Sequence, residues 1–200
     1  MASGSLFNEP DLSRRWKLSD VVLSVEKRKF HVHRCILAIW SPVFEKMFTS
    51  NFKEKHQYEI PLPGKKATEI QEMLSVMYLK EKTVTYETVF FLLELAEEYQ
   101  METLRSLCEK CLIKYTTKDK AVEFLAHAGK YNLKQLPNVC IERGAELTPK
   151  ELHTNEKYNL LSPLYKQRLA EKREEYLLNL GNRGVVLASD LGTTFKVSER

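Results

Sequence analysis

Glycine and proline are sparse, seven of each in 200 residues, and no segment repeats at a fixed period. Collagen-like, Pro-rich and low-complexity architectures are thereby excluded. No apolar run approaches the roughly 20 residues that cross a bilayer. The opening Met1-Ala2-Ser3-Gly4-Ser5 lacks the charged and apolar regions of a secretory signal. The expectation is an intracellular chain, cytoplasmic, nuclear or both. Cysteines are few: Cys35, Cys108, Cys111 and Cys140, each set in an apolar helical pattern. A reducing compartment keeps such thiols free. An excess of charge of one sign is missing too. Against 31 Lys and Arg stand 27 Asp and Glu, and the net charge of +4 is interspersed, which does not mark a nucleic-acid binder.

What is present is apolar side chain at regular spacing. Hydrophobic residues make up 43% of the chain, enough for one good-sized core or two small ones without disulfide or metal staples. Asp11 to Lys17 reads as a short helix carrying Leu12 and Trp16. Ser19-Asp20 then introduces Val21-Val22-Leu23-Ser24-Val25, a β-branched strand, and Phe30-His31-Val32-His33 alternates as its returning hairpin partner. From Arg34 the period becomes helical, with Ile36, Leu37 and Trp40 on one face. Ser41-Pro42 supplies an N-cap and an N1 proline for a second helix holding Val43, Phe44, Met47 and Phe48. Tyr58, Ile60 and Leu62 alternate as a third strand.

The rest is helical. Ile70, Met73, Leu74 and Met77 form one stripe, Val89, Leu92, Leu93 and Ala96 the next, and Met101, Leu104, Cys108 and Cys111 a third. Thr117 is placed to cap a helix with Val122, Phe124, Leu125 and Ala128, and Gly144 to terminate one that starts near Leu136. Thr148-Pro149-Lys150-Glu151 has the residues of a capping box. Ser162-Pro163 opens a charged helix that Gly181-Asn182-Arg183-Gly184 is expected to end, leaving 182–200 as a flexible tail.

His31-x-His33 with Cys35 nearby has metal-ligand spacing, but zinc takes four converging ligands and no second pair is visible, so packing is the better reading. Cys108-x-x-Cys111 has redox spacing, yet it falls late in an apolar stripe rather than at a helix N-terminus where a thiolate is stabilised. Pro63-Gly64-Lys65-Lys66 lacks the second glycine and the Ser or Thr of a phosphate loop, and no G-x-S-x-G elbow occurs. No catalytic residue, cofactor or metal is expected.

The stretch "SDVVLSVEKRKFHVHRCILAIWSPVFEKMF" closely resembles the signature of the BTB (POZ) domain. The matching positions are Asp20, Phe30, His33, Arg34, Leu37, Ala38, Ser41, Phe44, Met47 and Phe48, with Tyr78, "FLLELAEEYQ" at 91–100, and Cys108, Cys111 and Leu112 further on. The resemblance implies an α+β fold, a small sheet flanked by helices, followed by an all-α extension like the 3-box or BACK region. The implied organisation is an N-terminal segment 1–18 with a short dimerisation helix, a BTB domain over 19–115, a helical extension over 116–181, and the tail. It further implies homodimerisation and service as a substrate adaptor for a cullin-3 ubiquitin ligase, bringing an unidentified client to it. On that resemblance the cullin contact falls on Phe52, Glu54 and Tyr78, within a hydrophobic-x-Glu motif at Phe52-Lys53-Glu54. A large apolar residue in a polar loop suits a docking anchor. The dimer interface takes Leu12, Trp16, Asp20 and Arg34, the last two as a charged pair. Against this stand local core packing for Leu12 and Trp16, and capping or solvation for Asp20 and Arg34. Tyr78-Leu79-Lys80 replaces the family's usual Tyr-Thr-Gly. Neither kelch repeats, a MATH domain nor zinc fingers accompany the domain, so either the chain is a fragment or the extension itself recruits something. The alternative function is a dimerisation scaffold for transcriptional co-regulators without cullin binding. No membrane or direct nucleic-acid partner is expected.

Overall fold

The computed structural model describes residues 11–50, 56–79 and 81–190. The chain divides into two compact units, Met1–Leu112 and Ile113–Arg200.

In the first unit the β-branched run becomes β1 (Val21–Val25), with Val21, Val22, Leu23 and Val25 all buried. Burial on both sides reflects its central place in a three-stranded sheet of order β2-β1-β3. β2 (Arg28–Val32) pairs antiparallel, Val21 opposite Val32 and Leu23 opposite Phe30. β3 (Glu59–Pro61) pairs parallel, Leu23 opposite Ile60. A parallel neighbour needs a crossover, and α1 (Arg34–Trp40) and α2 (Pro42–Thr49) supply it.

Ser41 fixes the α1–α2 corner. Its hydroxyl oxygen accepts the Phe44 N–H at 3.1 Å, capping α2, and its O–H donates to the Tyr99 carbonyl at 2.6 Å. Phe44 stacks on the Tyr99 ring with centroids 4.8 Å apart. Beyond β3 come α3 (Ala67–Tyr78), α4 (Val89–Glu98) and α5 (Glu102–Lys114). They bury the stripes expected of them, including Ile70, Met73, Leu74, Val89, Leu92, Leu93, Leu104 and Cys108. Each such side chain contributes roughly 1.5–3 kcal/mol. Lys66, at the N-cap of α3, makes no side-chain cap. Glu26 in the hairpin turn does so instead, its carboxylate accepting the Ala67 N–H at 3.0 Å.

The helix expected over 11–17 does not form. Asp11 accepts both the Ser13 N–H, at 3.1 Å, and its O–H, at 2.6 Å, closing a side-chain turn. Lys17 and Leu18 take positive φ of 27° and 61°. The Leu12 carbonyl, which a helix would use internally, accepts the His31 N–H at 2.7 Å. Long-range backbone pairing with β2 outcompetes a short, marginal helix.

The second unit holds α6 (Ala121–Lys130), α7 (Leu136–Gly144), α8 (Pro149–Thr154), a 3-10 turn (Glu156–Leu160) and α9 (Pro163–Asp190). The capping box forms at α8: Thr148 Oγ1 accepts the Glu151 N–H at 3.3 Å and Glu151 accepts the Thr148 N–H at 2.6 Å. Three expectations are corrected. α6 begins at Ala121, past Thr117, with Lys120 at its N-cap and no side-chain cap. Gly144 is no left-handed terminator, since α7 passes into Ala145 at φ −60°. It serves close packing, because a Cβ there would lie 2.9 Å from Leu169 Cδ1. Finally, Gly181-Asn182-Arg183-Gly184 do not end the last helix, which runs on to Asp190. Glycine costs a helix only about 1 kcal/mol each.

Candidate protein-interaction site

The residues singled out at the hairpin and α1 converge on His33. Its Nε2 faces the Lys17 carbonyl at 2.6 Å and therefore carries the proton, since a carbonyl only accepts. In the neutral ring Nδ1 is then the acceptor for the Tyr78 O–H, 3.1 Å away, while the Tyr78 oxygen accepts the His33 backbone N–H at 2.9 Å. The Trp16 ring meets the imidazole edge-on at 5.8 Å, and Lys17 Nζ lies 5.3 Å from the Trp16 centroid. Burial, the main cause, pushes the Tyr78 phenol up to about 12. One imidazole thus joins the N-terminal segment, the start of α1 and the end of α3.

Asp20 and Arg34 are brought together through the backbone. The Asp20 carboxylate accepts the Arg34 N–H at 2.8 Å, at the first residue of α1, where the helix dipole favours an anion. The Arg34 guanidinium donates to the Gln57 carbonyl at 2.6 Å and lies 4.8 Å from the Phe48 centroid. Asp20 thus takes the capping role, and the guanidinium reaches the chain entering β3. Leu12 and Trp16 are half-buried. Phe52 and Glu54 lie outside the described residues. Tyr78 is half-buried, with its hydroxyl engaged by His33.

Two apolar residues not singled out in the sequence are the most exposed here. Leu18 is 93% exposed and Ile39 is 81% exposed. Leu18 adjoins the carbonyl that His33 holds, and Ile39 lies on the helix that follows His33. The available signal was Ile39 falling off the Ile36, Leu37, Trp40 face. Cys35, read with the apolar pattern, is also exposed. Cys108 and Cys140 are buried, and desolvation raises both thiols to about 12. Among the described residues no group of three or more His, Cys, Asp or Glu is arranged to hold a metal ion, and no helix is long and apolar enough to cross a membrane.

A family model of the BTB/POZ domain matches residues 10–116. The chain belongs to the BTB/POZ family. Its fold is accordingly the α+β BTB/POZ fold, continued by helices, and as a BTB/POZ chain it is a protein-interaction module. It is similar to BTB and MATH domain-containing protein 38 of Caenorhabditis elegans, 32% identical over 78% of this chain and 40% of that protein. It is also similar to Kelch-like protein 24a of Danio rerio, 30% identical over 68% of this chain and 22% of that one. The chain therefore spans less than half the length of these relatives. Among solved structures, the BTB domain of zebrafish PATZ1 is 23% identical with a TM-score of 0.42, covering 50% of this chain and 79% of that one.

Proposed function

We propose that this chain is a homodimeric BTB adaptor that holds a cullin-3 type scaffold and so places a bound client beside a ubiquitin-transfer machine. Catalysis belongs to the recruited ligase, and this chain contributes proximity and valency. The observation that carries the reading is a BTB unit with Leu18 and Ile39 left in water beside the Asp20, His33 and Arg34 cluster. Covering two such side chains stabilises an assembly by roughly 1.5–3 kcal/mol each. A self-association surface that takes in Leu12, Trp16, Asp20 and Arg34 accounts for their exposure. The cullin contact is assigned to Phe52 and Glu54, with Tyr78 at the margin, by their position in the family motif. The cytoplasm and nucleus are the compartments that suit this role.

The test is a titration of the cullin-3 N-terminal domain against wild type and Phe52→Ala/Glu54→Ala, with molar mass measured by light scattering. The reading expects a dimer that binds cullin and a double variant that binds at least about tenfold more weakly while remaining a dimer. Equal affinity for both proteins removes the site assignment. A dimer that binds no cullin at all points instead to a scaffold for transcriptional co-regulators.

A further inference from the structure

The second unit contains a groove of about 700 Å³ between α6 and the stretch running from the 3-10 turn into α9. Leu125 and Leu161, 1% and 4% exposed, give it an apolar interior, and the Tyr165 ring forms part of the wall. Leu160 and Leu164 also line it, yet they are 70% and 61% exposed. At Gly129 the α6 wall lies against the Tyr165 ring, 3.4 Å from where a Cβ would stand. The size lies within the ~300–1,000 Å³ typical of ligand pockets. A small molecule in the interior would leave the two exposed leucines wet, whereas a peptide segment lying along the groove covers them. The charged residues along the lining are Lys130, Lys157 and one carboxylate, Glu123. The Lys157 ammonium has no ion-pair partner among the described residues. That ammonium, on the same lining as the exposed leucines, favours an acidic occupant.

We propose that this groove is the chain's client-docking site, taking a short segment of a second protein that carries two large apolar side chains and an adjacent carboxylate. The assignment rests on the adaptor reading, in which the chain brings a client to the ligase. The apolar side chains displace water from the leucine-lined trough, and the carboxylate sits against Lys157.

A display library of random twelve-residue peptides is panned on the full chain, with counter-selection on Leu160→Ser/Leu164→Ser. Both positions are exposed, so the double variant keeps its fold, which circular dichroism checks. Enriched peptides should combine paired Leu, Ile, Phe or Trp with Asp or Glu. In fluorescence anisotropy a synthesised winner should bind the serine variant about tenfold or more weakly and Lys157→Glu about fivefold more weakly. Absence of enrichment, winners that bind the serine variant equally, or winners that are basic would overturn the proposal. The serine variant should titrate the cullin-3 N-terminal domain like wild type. Failure of the unaltered chain to bind cullin therefore sinks the adaptor reading and with it the groove's role as a client site, whereas loss of peptide binding sinks the groove alone.

Discussion

The Tyr78 oxygen accepts the His33 backbone N–H at 2.9 Å while its own O–H points to Nδ1 of the same residue at 3.1 Å. Tyr78→Phe removes both bonds and leaves the N–H and Nδ1 without that partner, at a cost of roughly 1–3 kcal/mol. Urea unfolding should show a lower midpoint at unchanged slope. A midpoint equal to that of wild type would show that the hydroxyl is not structural.

Two glycines should respond to alanine in opposite directions. At Gly144 the new methyl meets Leu169 Cδ1 at 2.9 Å, so the end of that buried side chain must shift, at a cost of about 1 kcal/mol. At Gly181, within α9, a Cβ meets nothing within 4 Å, so Gly181→Ala gains helix propensity worth roughly 0.5–1 kcal/mol. Thermal unfolding of the two variants decides it. Identical shifts would contradict the close α7–α9 approach.

Glu151 sets an acid limit on the second unit. The Thr148 backbone N–H, then its side chain, then Lys118 hold the carboxyl down at about 2, against an ordinary value of 4.5. A carboxylate depressed in the folded state contributes stability that is fully present above the unfolded value and is lost as pH falls through the folded one. The relevant window is therefore pH 4.5 down to about 2. Glu151→Gln should flatten the fall of the unfolding midpoint across that window. An unchanged slope would mean that the box does not titrate with folding.

Thiol labelling should separate one cysteine from the others. Cys35 is exposed, while Cys108, Cys111 and Cys140 are buried. A disulfide reagent at pH 8 should consume one equivalent rapidly in the native protein and four in denaturant. Fast reaction of Cys108 or Cys111 would reopen the redox reading of their spacing.

Much of the fold was legible where the deciding interactions are local. The valine-rich β1, the Ser41-Pro42 corner and the Thr148–Glu151 box all announce themselves within a few residues. Segment 11–17 was misread because the groups that reshape it, the His31 N–H and the His33 imidazole, arrive from elsewhere in the chain. The same holds for Glu26, whose partner at Ala67 no local pattern reveals. α9 outran its expected end because a solvent-facing Gly181 weakens a helix without stopping it. At the interaction site the sequence pointed to His33, Arg34 and Tyr78 by motif, but not to their bonds. A charged pair was expected of Asp20 and Arg34, and a carboxylate seated on a backbone N–H is observed, because the register that sets Val21 opposite Val32 brings Asp20 beside the first turn of α1. Leu18 and Ile39 were missed because exposure belongs to packing and not to residue type.

The parallel seam between β1 and β3 imposes an order of assembly. The β1–β2 ribbon closes through a tight turn and can zip on the microsecond scale. β3 finds its place only after the chain has looped through α1 and α2, a non-local closure that slows the search. Until then the β1 edge is a bare row of amides and carbonyls, able to accept a strand from another molecule. A nascent chain is thus most open to mispairing in the interval before Ile60 reaches Leu23.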